Sequence, residues 1–277
     1  MKSSKNIYWI IGISLGFGLL LASAVPLRVA LSDWLSDEKE IRLVAGIVAR
    51  CLILFLAFYL IKKFRFVAFL GKDSQFKSKD LLSIVVPLVF ISMGLFGGWG
   101  VYKTASVNLL SLFLISNLLV ALVEEFVFRG LVLPLILKVR SKKRRLLLMS
   151  VFLTALIFGV LHYLNLFREP NNFSGITSQV IFALCIGIYL GGLMLRTRNI
   201  LFPIVIHFLI NISFGKEILK PEINEVVTQV VERDTNWGSM LLTFGLFGLI
   251  ALGGVYMVRL VDKADVLKLL NKENDLL

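Results

Sequence analysis

The chain has 277 residues, 57% of them hydrophobic, and a formal net charge of +12. A soluble domain is nearer about 45–50% apolar, so this composition excludes an ordinary globular domain and predicts a polytopic membrane protein. Its two cysteines, Cys51 and Cys185, show no CxxC or Cys/His spacing, which excludes a disulfide framework and a thiolate zinc site. Both fall in apolar runs and read as buried small hydrophobes.

A bilayer core of ~30 Å needs about 20 apolar residues per helical span. Eight such runs follow one another: 7–28, 43–61, 81–101, 106–138, 146–166, 177–195, 200–214 and 238–258. The predicted fold class is therefore all-α, a polytopic membrane helical bundle of about eight transmembrane helices, with residues 1–277 as one integral membrane domain. The first run ends near Ala22-Ser23-Ala24, which resembles a signal-peptidase site, but it exceeds the usual apolar core of about 7–15 residues and reads as an uncleaved span. Gly12/Gly16 and Gly187/Gly191 are small-xxx-small pairs, expected to serve helix contacts within the chain rather than a dimer face. In the second run, Arg50 reads as an interhelical hydrogen-bond donor. Binding of a substrate carboxylate or a lipid head group is the alternative. The fourth run is longer than a span requires and contains Pro134, so tilting or an interfacial start is expected. The seventh is short and begins near Pro203. The 215–236 connection reads as a surface loop, with a lid as the alternative.

The basic residues set orientation. With the N-terminus inside, inner segments carry 20 Lys and Arg, outer segments carry seven, and Arg28, Arg50 and Arg129 lie within spans. This bias predicts both termini cytoplasmic and accounts for the net charge without a nucleic-acid partner. Trp9, Trp34, Trp99 and Trp237 all fall at span ends, as interfacial anchors do.

Beyond Arg28 and Arg50, three apolar runs carry ionisable groups, each costing about 2.5–3.5 kcal/mol at a span centre on insertion scales. The fourth contains Glu124-Glu125-xxx-Arg129, the fifth Phe158-xxx-His162, the seventh His207-xxx-Asn211. Four-residue spacing puts Glu125 and Arg129 on one helix face, where pairing offsets the burial of both. Glu124 then points about 100° away and is free to meet another helix. In a poorly hydrated site a carboxylate becomes a better base toward water. His162 would hold that water with Glu124 or shuttle its proton. His207 and Asn211 share a face and are suited to donate to one oxygen, as an oxyanion site requires. Read singly, each motif also fits a structural role: an ion-pair clamp, a core histidine, two donors to helix carbonyls. Asn117, two turns before Glu124, would line the same cavity or bond another span. No Gly-x-Ser-x-Gly, Gly-Asp or His-Glu-x-x-His pattern lies in a span, so serine, aspartyl and zincin-type sites are not supported.

The order Glu-Glu-xxx-Arg, Phe-xxx-His, His-xxx-Asn resembles the CPBP family of CAAX prenyl endopeptidases and bacteriocin-processing or self-immunity (Abi) proteins, over residues 110–215. The resemblance implies an intramembrane endopeptidase with Glu124 as the base, His162 positioning water, His207 and Asn211 stabilising the oxyanion, and Glu125, Arg129 and Phe158 in support. It implies a peptide or membrane-protein substrate and a prokaryotic plasma membrane. No cofactor is favoured; zinc held by Glu124, His162 and His207 is the alternative. A non-proteolytic scaffold or immunity protein is the second function, and a proton-coupled transporter the third. Absence of repeated halves weighs against the third.

Overall fold

The computed structural model describes residues 2–71, 81–140, 145–221 and 237–271. Among these every regular element is helical: α1 (Lys2–Ala22), α2 (Ala24–Leu31), α3 (Glu38–Lys63), α4 (Val67–Leu70), α5 (Leu81–Gly97), α6 (Trp99–Thr104), α7 (Val107–Val127), α8 (Leu133–Arg140), α9 (Leu146–Leu161), α10 (Phe173–Thr197), α11 (Leu201–Phe214), α12 (Trp237–Arg259) and α13 (Lys263–Asn271). Six helical segments are long and apolar enough to cross a membrane, and α5 and α11 are shorter apolar helices of 17 and 14 residues. The eight apolar runs thus appear in the expected order, with two corrections. The first is interrupted by a turn at Ser23, and in the third α5 ends at Gly97 and a separate α6 begins at Trp99. Most of the 215–236 connection, residues 222–236, lies outside the described residues, as does the Trp237 side chain.

The helices start where side chains can accept the free N–H groups. Asp37 accepts from Lys39 and Glu40 ahead of α3, and Ser106 from Leu109 ahead of α7. The core is apolar and runs through the middle of the bundle, with Phe128, Leu131, Leu133, Tyr189, Leu190 and Leu193 fully enclosed. The outer surface is also apolar: Leu19, Phe55 and Leu242 are widely exposed, which suits lipid contact.

Small residues decide which helices meet. On α10, a Cβ at Gly187 would lie 2.9 Å from Ala155 Cβ, and one at Gly191 would lie 2.9 Å from Val151 Cγ1, so α9 docks closely there. On the other side, Gly192 faces the Gly254 carbonyl of α12, and a Cβ at Gly254 would lie 2.5 Å from Tyr189 Cα. Without a hydrophobic force between helices in lipid, such close backbone approach supplies the packing. The Gly187/Gly191 expectation therefore holds, whereas Gly12 and Gly16 differ. Neither has anything within 4 Å of its would-be Cβ, because α1 turns that face outward. The cysteines differ too: Cys51 is exposed on its helix, whereas Cys185 is half-buried and packs against the core.

Candidate active site

Glu124 and Glu125 sit near the end of α7, just before a single π-helical turn, Phe128–Val132. There the Leu133 N–H reaches back to the Phe128 carbonyl. Pro134 follows directly; a proline lacks an N–H and its ring clashes with the carbonyl four residues earlier. The widened turn absorbs that clash without breaking the helix, so residues 107–139 continue as one span. Inserted π turns often occur at functional sites because they re-aim side chains. Here the turn places the fully buried Arg129 beneath Glu125.

The buried ion pair forms as its spacing predicts. Arg129 Nη1 lies 2.9 Å from Glu125 Oε1, with both side chains fully buried. Arg129 Nη2 also donates to the Gly187 carbonyl at 3.1 Å, which ties α7 to the small-residue seam of α10. Phe158 packs against the guanidinium at 5.3 Å. Its ring also stands edge-on to His162 at 4.9 Å and to His207 at 6.1 Å, which makes it the wall between the histidines.

His207 is the residue that draws the cluster together. Its Nδ1 lies 2.8 Å from Glu125 Oε1, and its Nε2 lies 3.4 Å from Glu124 Oε2. A carboxylate only accepts, so the Nδ1 proton points at Glu125 and the Nε2 edge is left toward Glu124. His207 is almost completely buried, while Glu124 keeps 16% of its side-chain exposure. Glu124 thus stands at the open side of the cluster and Glu125 at its closed side.

His162 sits where α9 gives way to a 3-10 turn, His162–Phe167. Its Nδ1 donates to the Phe158 carbonyl at 2.9 Å, which leaves Nε2 as the acceptor. The pairing of histidines with partners therefore differs from the sequence expectation. The imidazole facing Glu124 is His207, and the partner of His162 is its own helix. Asn211 does not bond His207 either. Its Nδ2 is buried and makes no hydrogen bond among the described residues. Four-residue spacing placed the two on one helix face, but Glu125 captures the His207 ring from another helix, which spacing within α11 does not reveal.

The short α11 is held from outside. The Tyr102 hydroxyl donates to the Ile212 carbonyl at 2.5 Å, and Lys216 Nζ donates to the carbonyls of Gly94 and Ser213. These satisfy carbonyls at a helix C-terminus that would otherwise be orphaned. Burial pushes the Tyr102 phenol above its usual range, so it stays a donor. Asn117 bonds the Phe113 carbonyl of its own helix at 2.8 Å. Arg50 crosses from α3 to donate to Ser116 on α7 at 3.2 Å, as the interhelical reading expected.

The described residues contain no group of three or more His, Cys, Asp or Glu side chains placed to hold a metal. Of the three residues the zinc alternative requires, Glu124 and His207 face one another, and His162 donates from Nδ1 to the Phe158 carbonyl with Nε2 left free, but the three are not gathered into one such group among the described residues.

Residues 106–213 match the family described as Rce1-like, type II CAAX prenyl endopeptidase. Over these residues the chain is similar to the CAAX-type proteases of the CPBP family. This segment carries Glu124, Glu125, Arg129, Phe158, His162, His207 and Asn211, every residue of the cluster just built. At family level this likeness supports a CAAX-type intramembrane endopeptidase, and the six long apolar helical segments support an integral membrane protein. Comparison with curated proteins and with solved structures gives no match.

Proposed function

We propose that the protein hydrolyses a peptide bond at the membrane with water activated by Glu124. The observation that carries this reading is the arrangement around His207. One carboxylate, Glu125, is neutralised by Arg129 and anchors the ring, while the other, Glu124, faces the ring edge from the open side. In this reading Glu124 takes a proton from water as the oxygen attacks the substrate carbonyl carbon. His162 Nε2 accepts the second water hydrogen and orients it. The negative charge that develops on the carbonyl oxygen is met by Asn211 Nδ2 and by the Nε2 edge of a doubly protonated His207. Glu124 then passes its proton to the departing amine nitrogen as the C–N bond breaks, which balances the reaction.

An unpartnered buried amide donor is costly in a folded protein. It makes sense where the missing acceptor is an oxygen that forms only during the reaction. A cavity of about 390 Å³ lies between α5, α10, α11 and α12, walled by Phe90, Phe182, Phe214, Phe244 and Phe247 with Ser178, Gln179 and Thr243. Phe214 is one turn beyond Asn211, and we assign this cavity to an apolar side chain flanking the cut bond. The excess of basic residues in the segments 62–79, 138–145 and 259–272 supports a cytoplasmic position for both termini, and we extend the setting to a prokaryotic plasma membrane.

The test is proteomic. Cells carrying the wild type, Glu124→Gln or Asn211→Ala are compared for membrane-peptide fragments, with expression and folding checked on the purified chains. Both variants are expected to lose the same cleavage products. Retention of those products by Glu124→Gln removes the glutamate mechanism and leaves a peptide-binding scaffold or immunity role in its place.

A further inference from the structure

The end of α3 is closed by an arginine where glycine is the usual residue. The Phe66 N–H donates to the Ile61 carbonyl at 2.9 Å and the Arg65 N–H to the Lys62 carbonyl at 3.1 Å, the paired bonds that end a helix through a left-handed residue. Glycine fits that place because it has no Cβ to crowd the backbone. Here the residue is Arg65, with φ at 56°. Among the described residues one other non-glycine residue has a positive φ, Arg198, and its side chain is committed to Asp265. Two lysines, Lys62 and Lys63, already place positive charge in the last turn of α3, where it complements the helix dipole. A third cation on a strained backbone is not needed for that purpose.

Aromatic rings lie beneath these cations. Lys62 Nζ stands 4.7 Å from the centre of the Phe58 ring, one turn back on α3, and Lys63 Nζ stands 5.4 Å from the Trp9 ring of α1. Trp9 meets Phe64 edge-on at 5.0 Å, Phe64 stacks on Phe66 at 5.9 Å, and Lys138 Nζ of α8 stands 4.5 Å from the Phe66 ring. Three helices thus contribute to one row of rings and ammonium groups. α1 and α8 contain no Asp or Glu, and α3 has none after Glu40. Among the described residues neither Lys62 nor Lys63 makes an ion pair. Lys62, Lys63 and Arg65 are exposed, and so are Tyr8 and Trp9 on α1 and Phe55, Phe58 and Tyr59 on α3. Lys138 is fourteen residues beyond Glu124 on the same span, roughly 20 Å along a helix, so the row is remote from the Glu124 cluster.

We propose that Lys62, Lys63 and Arg65 bind the phosphate of an anionic phospholipid, with Trp9 and Phe58 as the floor of the site. The site goes beyond the peptidase reading and stands without it. Its charge is of one sign, which a phosphodiester complements. The lysines supply compact charges, and the Arg65 fork suits two phosphate oxygens. Tyr59 and Phe55 lie one and two turns before Lys63 on the same face of α3, and both are exposed. Acyl chains of the same molecule would lie along them, whereas a soluble anion would leave them uncovered. Tryptophan at a span end, and lysine with its stem over apolar rings, suit the boundary between hydrocarbon and water where that phosphate sits.

The test uses the full chain in nanodiscs, with Trp34, Trp99 and Trp237 changed to Phe so that Trp9 alone reports. The probe is phosphatidylglycerol brominated on its acyl chains, a minor component in phosphatidylcholine, against brominated phosphatidylcholine at the same fraction. Bromine quenches indole fluorescence on contact, so quenching reads how often each lipid occupies the site. The parent chain is expected to favour phosphatidylglycerol about fivefold, as one basic group near an anionic surface allows. Lys62→Gln with Lys63→Gln should bring the ratio close to one. Arg65→Gly should lower it about twofold, yet leave the melting temperature in pure phosphatidylcholine equal or higher, because glycine relieves the left-handed backbone. It decides the matter if the double lysine variant fails to fold. A parent ratio near one, or one unchanged in the folded variants, overturns the proposal. A lower melting temperature with an unchanged ratio would make Arg65 a structural cap and overturn it too. So would a preference abolished at constant ionic strength by excess inorganic phosphate or by a soluble acidic peptide, because the surface would then hold a free anion or a protein segment.

Discussion

Glu125 is the residue whose removal separates stability from chemistry. Its Oε1 atom serves both Arg129 Nη1 at 2.9 Å and His207 Nδ1 at 2.8 Å, with no solvent at either carboxylate or guanidinium. Glu125→Ala leaves the Arg129 charge buried without a counter-ion, a change that costs about 3–5 kcal/mol. Arg129 keeps its bond to the Gly187 carbonyl and its contact with Phe158, so the lower half of that range is expected. Glu125→Gln keeps an acceptor of similar shape and loses the charge, for roughly 1.5–3 kcal/mol. The double change Glu125→Leu with Arg129→Met replaces the pair with apolar side chains of similar volume. Such replacements are often near neutral, so about 2 kcal/mol or more of the single-variant loss should return. Cleavage should not return with it, because nothing then holds the His207 ring. The assay is reversible unfolding in mixed micelles across the double-mutant cycle, run beside cleavage of the fragments found by proteomics. Glu125→Ala within about 0.5 kcal/mol of wild type would refute the buried-pair account. Full cleavage by the double variant would refute the anchoring role.

The other expectations are simpler. Asn211→Ala should lower kcat by about 10²–10³ with little change in KM, and should leave stability unchanged, because its Nδ2 donates to nothing among the described residues; a large stability loss would argue for a structural role. Phe158→Ala removes the wall between the histidines and should cost about 3–5 kcal/mol in the unfolding assay. Gly254→Ala should destabilise by roughly 1–3 kcal/mol, because its Cβ would sit 2.5 Å from Tyr189 Cα, whereas Gly12→Ala should be nearly neutral in the same measurement. Equal effects at the two glycines would contradict the packing described for α10 and α12.

Much of the bundle was legible in the chain itself. Hydrocarbon demands that every backbone group be satisfied within the segment, so long apolar runs can only be helices, and their number and order follow. The Glu125–Arg129 pair was legible for a similar reason: both partners lie on one helix, one turn apart, so spacing is geometry. The π turn was less so. Pro134 signalled strain in the fourth run, but a kink, a tilt and a widened turn all relieve it. The outward-facing Gly12/Gly16 pair shows the same limit, since small-xxx-small spacing marks a face without saying what lies opposite.

The sequence by itself determined the helical membrane architecture and the seven residues of the cluster, because hydrophobic periodicity and local spacing are properties of one segment at a time. Partnership between segments was decided only by the tertiary structure. Spacing suggested Glu124 with His162 and His207 with Asn211; the folded bundle instead brings His207 to both glutamates and leaves the Asn211 amide open. It likewise brings Arg50 of α3 to Ser116 of α7, a contact between segments that share no local pattern. The physical reason is that a side chain on one helix meets whichever group the neighbouring helix presents at its depth and rotation. Those are set by the glycine seams of α10 and by the turn after α7, not by the distance between two letters on one strand of text.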